Sequence, residues 1–185
     1  KNQLITTASA DVPLKGLIYL IRAYSELLNE FPDLYLVVIG KLRDGPTSNE
    51  LDKKDIKNKV KFISDLTSRE IAELYAESTI AISPSVYEGF GFPAGEAMSC
   101  GIPLISTNGG SLPEVVGDSG IIVPHSNPNE LRKAIKELLL SPEKRKKLGE
   151  KGRKRVLEKF TWKRAAKELV EVYREAISNA DNRSR

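Results

Sequence analysis

Cysteine and histidine are almost absent from this chain of 185 residues, which contains one of each, Cys100 and His125. A single cysteine excludes an internal disulfide and suits a reducing compartment. One cysteine and one histidine also fall short of the four ligands that a structural zinc site takes. We therefore expect Cys100 to pack within a helix and His125 to be structural.

Long apolar runs are also missing. No stretch approaches the roughly 18 apolar residues that read as a membrane-spanning helix, and the first residues lack the pattern of a signal peptide. The composition, 40% hydrophobic and 29% charged, is ordinary for a globular protein. We expect one domain, residues 1–185, in a cytoplasmic protein. Because the chain starts at Lys1 and enters a predicted strand at once, we expect it to be part of a longer protein.

Three nucleotide-binding signatures do not occur in the sequence. The absence of GxxxxGK[ST] disfavours a nucleoside triphosphatase. The absence of GxGxxG after the first strand disfavours a common dinucleotide-binding site. No Asp-x-Asp is present to hold a metal with a diphosphate. We therefore expect no metal site and no cofactor, and any anionic ligand would be neutralised by the protein itself.

Short apolar runs alternate with helical patterns along the chain. The predicted strands are residues 4–9, 34–39, 60–63, 79–83, 102–106 and 120–123. The predicted helices are residues 14–31, 50–57, 67–77, 93–100 and 112–116, followed by three that begin near Asn127, Ser141 and Thr161. This alternation predicts an α/β fold: a doubly wound parallel sheet of about six strands, helices on both faces and C-terminal helices.

A parallel sheet of this kind binds ligands beyond the carboxyl ends of its strands. The segments that follow the predicted strands are residues 10–16, 40–43, 64–65, 84–91 and 107–110. They are rich in glycine and charge, so we expect them to converge on one cleft.

The stretch from Ser83 to Glu96 combines a strand end, three glycines and a helix start. Glu88 and Glu96 are separated by seven residues within it. Glycine lets a ligand approach the backbone, and a helix N-terminus attracts anions. A carboxylate accepts several hydrogen bonds. The combination predicts a ligand with a phosphate and sugar hydroxyls.

Several of these residues have more than one interpretation. Lys15 and Gly16, before the first long helix, could bind phosphate or form an ordinary solvated turn. Glu88 and Glu96 could be an acid/base pair or bind hydroxyls, and Glu96, placed in the first helical turn, could simply stabilise the helix dipole. The Gly109-Gly110 pair could bind an anion or form a turn.

Positive charge is concentrated between residues 144 and 164, where eleven lysines and arginines occur. Such a helical surface could contact anionic lipid or nucleic acid. Because few aromatic residues accompany it, a solvated face is the favoured interpretation. We expect no nucleic-acid partner and leave a peripheral contact with the cytoplasmic membrane surface open.

Residues Glu88 to Ile105 closely resemble the Glu-x7-Glu signature of retaining glycosyltransferases of family 4, which have the GT-B fold. The resemblance also covers residues 15–16, 37–40, 60–63, 74–75, 109–115 and 120–124. It implies that this chain is the C-terminal, Rossmann-like, donor-binding domain of a two-domain enzyme. The final helix, starting after Phe160, is similar to the family's crossover to the N-terminal domain.

The resemblance implies a role for individual residues. Lys15 would contact the donor diphosphate, Glu88 the hydroxyls of the transferred sugar and Glu96 the ribose, with Lys15 and Glu88 as the catalytic residues. Main chain near Ile63 would contact the base. The full implied donor site is Gly16, Gly40, Ile63, Ser64, Glu88, Gly89, Phe90, Gly91, Phe92, Ala94 and Glu96.

The implied activity is retaining, metal-independent, hexosyl-type transfer from a UDP-, GDP- or ADP-linked sugar to an acceptor sugar or lipid held by the N-terminal domain. The present chain alone would be inactive. One position departs from the family, which often carries an arginine where this chain has Ala10. A nucleotide-sugar 2-epimerase and a non-catalytic nucleotide-sugar-binding module are the alternatives.

Overall fold

Six parallel strands form one sheet in the computed structural model, which describes residues 2–8 and 12–183. The strands are β1 (Gln3–Thr7), β2 (Tyr35–Ile39), β3 (Val60–Ile63), β4 (Ile80–Ser83), β5 (Leu104–Thr107) and β6 (Ile121–Val123). Their order in the sheet is β3-β2-β1-β4-β5-β6, and all neighbours are parallel. This is the order of a Rossmann-like fold, and it confirms the predicted α/β class.

Helices connect the strands and continue after the sheet. They are α1 (Leu17–Leu27), α2 (Pro46–Lys53), α3 (Ser68–Glu77), α4 (Phe92–Ser99), α5 (Leu112–Val116), α6 (Pro128–Leu140), α7 (Pro142–Lys159) and α8 (Trp162–Arg183). Short 3-10 helices occupy Pro13–Lys15 and Lys57–Lys59. Over the described part of the chain, none of these helices combines the length and apolar character needed to cross a membrane.

Two apolar cores cover the two faces of the sheet. Successive residues of a strand point to opposite faces, and Leu4 and Ile5 of β1 accordingly belong to different clusters. The first cluster includes residues of α1 and α6, and the second includes residues of α4 and α5. Both faces are therefore covered, which explains why the strands are continuous apolar runs rather than alternating ones.

Several predicted boundaries differ from the structure. The predicted helix from residue 14 begins only at Leu17, because Gly16 has a left-handed backbone conformation that separates α1 from the 3-10 turn before it. The helix predicted at residues 50–57 begins at Pro46, whose ring suits the first helical position. The predicted end of the first strand, Ser9, lies outside the described residues.

The basic surface of α7 is only partly a solvated face. Arg145 donates hydrogen bonds to two carbonyl oxygens in the last turn of α6, at 2.6 and 2.9 Å. Arg153 reaches the last carbonyl of α4 at 3.0 Å, and Arg155 donates to two carbonyls of α5 at 2.7 and 2.8 Å. Cations at helix C-termini satisfy free carbonyls and complement the helix dipole. These three arginines therefore connect α7 to the core.

Candidate functional site

The sheet reverses its winding direction between β1 and β4. These strands are neighbours, yet β2 lies on the far side of β1 and β5 on the far side of β4. Because the two connections leave in opposite directions, a crevice opens at their carboxyl ends. Residues 12–16 and 84–91 form its two sides.

Close backbone contact joins these two segments. The amide of Val86 donates to the carbonyl of Leu14 at 2.8 Å. A Cβ atom built on Gly16 would lie 2.0 Å from the carbonyl oxygen of Pro84, and the φ angle of Gly16 is +63°. Only glycine meets both conditions, so Gly16 allows the end of the 3-10 turn to reach the loop after β4.

Lys15 and Glu88 meet across the crevice. The Lys15 Nζ atom lies 2.8 Å from Glu88 Oε1, and the two side chains are 31% and 12% exposed. The hydroxyl of Ser85 donates a second hydrogen bond to the same oxygen, also at 2.8 Å. A cation, a carboxylate and a buried hydroxyl thus lie together at the switch point of the sheet.

The glycine pair after β5 forms the next wall of the crevice. Cβ atoms on Gly109 and Gly110 would stand 2.5 Å from the Val86 carbonyl oxygen and 2.2 Å from that of Glu88. The Ser111 amide donates to the Glu88 carbonyl at 3.1 Å. This pair therefore packs against the 84–91 loop, which favours the turn interpretation over an anion site.

Helix α4 starts beside this loop. Gly91 precedes it with a φ of +89°, and no side chain caps it. Pro93 has no amide hydrogen, and the amides of Ala94 and Gly95 donate to the Gly91 carbonyl at 3.0 and 3.2 Å. An anion at this terminus would therefore bond to amides of residues 89–92. Ala94 is fully buried, and its amide is already bonded to the Gly91 carbonyl.

Glu96 lies on the exposed surface of α4. It is the fifth residue of the helix, whose first turn contains no acidic residue. The expected position in the first turn is therefore wrong, because α4 begins at Phe92 rather than Pro93. Stabilisation of the helix dipole, which acts within the first turn, does not account for Glu96.

Tyr75 connects the end of β1 to the start of α4. Its hydroxyl lies 3.0 Å from Thr7 Oγ1 and donates to the Pro93 carbonyl at 3.4 Å. Burial raises the pKa of Tyr75 to about 12, and the negative charge of Glu96 adds to this effect. Sequence reasoning did not identify this role, since the partners are distant in sequence.

The ends of β2 and β3 lie on the side of the switch point away from β4. The amide of Gly40 donates to the Ile63 carbonyl at 2.7 Å. The Asp65 carboxylate accepts from Ser64 Oγ and from Lys41, both at 2.9 Å. The hydrogen bond from Lys41, together with that from Ser64, lowers the pKa of Asp65. Asp65 and Lys41 belong to segments that were expected to converge on the cleft, but neither was named as a site residue.

Aromatic side chains line a neighbouring groove of about 460 Å³ between α4 and the α7–α8 junction. The rings of Phe90 and Phe92 lie 4.9 Å apart, and Phe160 meets Phe90 edge-on at 5.6 Å. Phe92 is 71% and Trp162 is 92% exposed. The side chain of Phe92 thus faces this groove, away from the apolar core.

The structure brings most of the predicted site to one edge of the sheet. Lys15, Gly16 and the Glu88 loop meet at the switch point, and Gly40, Ile63 and Ser64 lie at the ends of β2 and β3. Ala10 lies outside the described residues. Within the described ranges, no group of three or more His, Cys, Asp or Glu residues is arranged to hold a metal ion.

The sequence profile of the family described as glycosyl transferases group 1 matches residues 1–155. The chain belongs to this family. MMP alpha-(1->4)-mannosyltransferase of Mycolicibacterium hassiacum is 40% identical over 182 residues, which cover 96% of this chain and 44% of the mannosyltransferase. The predicted family is thereby confirmed at the level of group 1 glycosyl transferases.

Solved structures share the fold. Sucrose-phosphate synthase from Thermosynechococcus elongatus matches with a TM-score of 0.82 and 25% identity, covering 97% of this chain and 46% of the synthase. The C-terminal domain of a group 1 glycosyl transferase from Francisella tularensis matches with a TM-score of 0.76 and 25% identity, covering 86% of this chain and 87% of that domain. This chain therefore spans less than half of the mannosyltransferase and of the synthase, but most of a separately solved C-terminal domain.

Proposed function

We propose that this chain is the donor-binding domain of a retaining glycosyltransferase of family 4. The whole protein would transfer a sugar from a nucleoside diphosphate to an acceptor hydroxyl. The observation that carries the proposal is the contact between Lys15 and Glu88 across the β1/β4 crevice. A group that neutralises phosphate and a group that accepts from hydroxyls are thereby side by side, as a nucleoside diphosphate-sugar requires.

Each part of the donor has a place along the edge of the sheet in this proposal. The diphosphate lies between Lys15 and the amides of residues 89–92, and the transferred sugar lies against Glu88. The base lies toward the main chain of Ile63 and Ser64, and the ribose is held by Glu96. The base thus lies on the β3 and β2 side of the switch point, and the transferred sugar lies on the β4 side.

Catalysis in this proposal depends on stabilising the departing diphosphate. Positive charge from Lys15 and amide dipoles of the 89–92 segment act on the phosphate oxygens as the bond to the sugar breaks, so a metal is dispensable. Electrostatic stabilisation of developing charge is often the largest contribution to catalysis. The acceptor attacks on the face from which the diphosphate leaves. Glu88, whose Oε1 is held by Lys15 and Ser85, orients the sugar and does not attack it.

The acceptor site belongs to another domain in this proposal. The mannosyltransferase relative is more than twice as long as this chain, which leaves room for such a domain. We propose a cytoplasmic enzyme whose acceptor is a sugar or a lipid. Exposed lysines of α7, such as Lys146 and Lys147, would supply any peripheral contact with an anionic membrane surface.

Replacement of Glu88 in the longer protein tests the proposed role. With donor saturating, Glu88→Gln should lower turnover by about 10²-fold or more, because the neutral amide weakens contacts made in the transition state. Glu143→Gln, an exposed glutamate at the start of α7, is the matched control and should be neutral. Product analysis in the same assay distinguishes transfer from 2-epimerisation. Unchanged turnover in Glu88→Gln would remove this residue from the mechanism.

A further inference from the structure

Two hydrogen-bond donors hold the same oxygen of Glu88, and they differ in their freedom to move. Lys15 is partly exposed at the end of a 3-10 turn. Ser85 is only 3% exposed and lies two residues after Ser83, the buried end of β4. Both contacts to Glu88 Oε1 measure 2.8 Å.

The backbone of Ser85 is fixed from two sides. Its carbonyl oxygen accepts a hydrogen bond from the hydroxyl of Thr107, a buried residue at the end of β5. Gly109 passes so close that a Cβ atom there would lie 2.7 Å from the same oxygen. The next amide, that of Val86, is bonded to Leu14. The backbone of Ser85 is therefore held in place when a ligand binds, whereas the Lys15 side chain can move toward the ligand.

Donor binding would change the balance between these two contacts. In the proposed function the Lys15 ammonium turns toward the diphosphate, and Glu88 then loses its cationic partner. A carboxylate that is only 12% exposed needs a remaining donor to keep its position, because burying an unpaired charge is costly. The hydroxyl of Ser85 is placed to be that donor.

We infer that Ser85 is a positioning residue for donor recognition. Its hydroxyl holds Glu88 Oε1 while Lys15 serves the diphosphate, so that the second carboxylate oxygen accepts from the hydroxyls of the transferred sugar. This inference rests on the proposed function and deepens it. If Ser85 has this role, it contributes to the affinity for the sugar part of the donor only. A merely structural serine would affect the affinities for the nucleotide and the nucleotide-sugar equally.

Calorimetric titration of the chain compares bare nucleotides with their sugar conjugates: UDP, GDP and ADP against UDP-glucose, GDP-mannose and ADP-glucose. Ser85→Ala should weaken the preferred conjugate by about tenfold, the size expected for one hydrogen bond to a charged group. The affinity for the matching bare nucleotide should stay within about twofold. Ser106→Ala, another buried serine at a strand end, is the control and should change neither affinity.

A double-mutant cycle provides a second readout. In a Glu88→Gln background, Ser85→Ala should have little further effect on the conjugate, because the two residues act as one unit. Equal weakening of nucleotide and conjugate, no weakening at all, or additive effects in the cycle would overturn the inference while leaving the proposed function in place. Failure of the unmodified chain to bind any of the six ligands would overturn the proposed function itself.

Discussion

Gly16 lies where the segment after β1 meets the segment after β4. Its φ angle of +63° and the 2.0 Å approach of the Pro84 carbonyl oxygen to a Cβ built on Gly16 leave no room for a side chain. Gly95, within α4, is different because a Cβ there meets nothing within 4 Å. The fold therefore requires glycine at position 16 but not at position 95.

Alanine substitutions should shift stability in opposite directions at these positions. Gly16→Ala should lower the free energy of unfolding by about 2 kcal/mol or more, through backbone strain and overlap with Pro84. Gly95→Ala should raise it by roughly 0.5 to 1 kcal/mol, because alanine is the better helix former. Urea unfolding measures both. A stable Gly16→Ala variant would show that the two loops do not meet as the structure describes.

The residues of the site were more predictable than their contacts. The residue pattern marked Lys15 and Glu88 as candidates beside glycine at strand ends, and the resemblance to family 4 supplied their expected roles. The role of Ser85 was not, because it depends on a carboxylate three residues away and on Lys15, 70 positions earlier in the chain. Sequence patterns show which segments converge, but not which atoms then share a hydrogen bond.

At the scale of elements, α7 organises the ends of three other helices. Its arginines donate hydrogen bonds to carbonyls in the last turns of α4, α5 and α6. Arg155 also stands 5.9 Å from the centre of the Phe160 ring, which in turn contacts Phe90. Arg155 thus connects α5 and the start of the C-terminal helix to the loop that carries Glu88.

Removing Arg155 should destabilise the fold more than removing its neighbour. Arg155→Ala should lower the free energy of unfolding by about 1.5 to 3 kcal/mol, since it leaves two carbonyls of α5 without their charged donor. Lys154→Ala on the same helix should change it by about 0.5 kcal/mol or less, because the ion pair of that lysine with Glu158 is exposed. Thermal and urea unfolding compare the two variants. Equal effects would mean that Arg155 is not a helix cap.

Most helices and strands were predicted from the sequence. Two features show that local contacts were predictable and tertiary contacts were not. The capping box at Thr67 and Glu70 is formed as expected, because all of its atoms lie within four residues. The arginines of α7 were interpreted as part of a solvated surface, because a run of positive charge has no local partner. Their partners are carbonyls at the ends of helices that only the tertiary fold places nearby.

Across the whole molecule, ion pairs and a helix cap make the stability of the folded state depend on pH. Hydrogen bonds from Lys41, Thr67 and Lys151 lower the pKa values of Asp65, Glu70 and Asp118, respectively. The folded state then binds fewer protons than the unfolded state between the lowered and the ordinary values. The stabilisation is therefore complete above about pH 5, given ordinary carboxyl pKa values near 4.

As the pH falls through the lowered pKa values, this stabilisation should be lost. The urea midpoint should accordingly decrease from pH 5 to pH 3. In the triple variant Asp65→Asn, Glu70→Gln, Asp118→Asn the decrease should be smaller, since these groups no longer titrate. Measurements at pH 7, 5 and 3 give both slopes. Identical slopes would contradict a contribution from these three carboxylates.

A doubly wound parallel sheet was predicted from the alternation of strands and helices and from right-handed connections, whereas the strand order β3-β2-β1-β4-β5-β6 comes from the structure. That topology places the switch point, and the switch point places Lys15 opposite Glu88. We propose above that this crevice binds the diphosphate of a nucleotide-sugar and that Lys15 supplies the positive charge.

Calorimetric titration of the chain with UDP, GDP and ADP, with and without magnesium, tests this claim most directly. We expect saturable binding of one nucleotide, unaffected by magnesium and weakened by roughly 10- to 100-fold in Lys15→Ala, the range for hydrogen bonds to a charged group. Lys146→Ala, an exposed lysine on α7, should bind as the unmodified chain does. Binding that requires magnesium, that survives in Lys15→Ala or that is absent for all three nucleotides would contradict it.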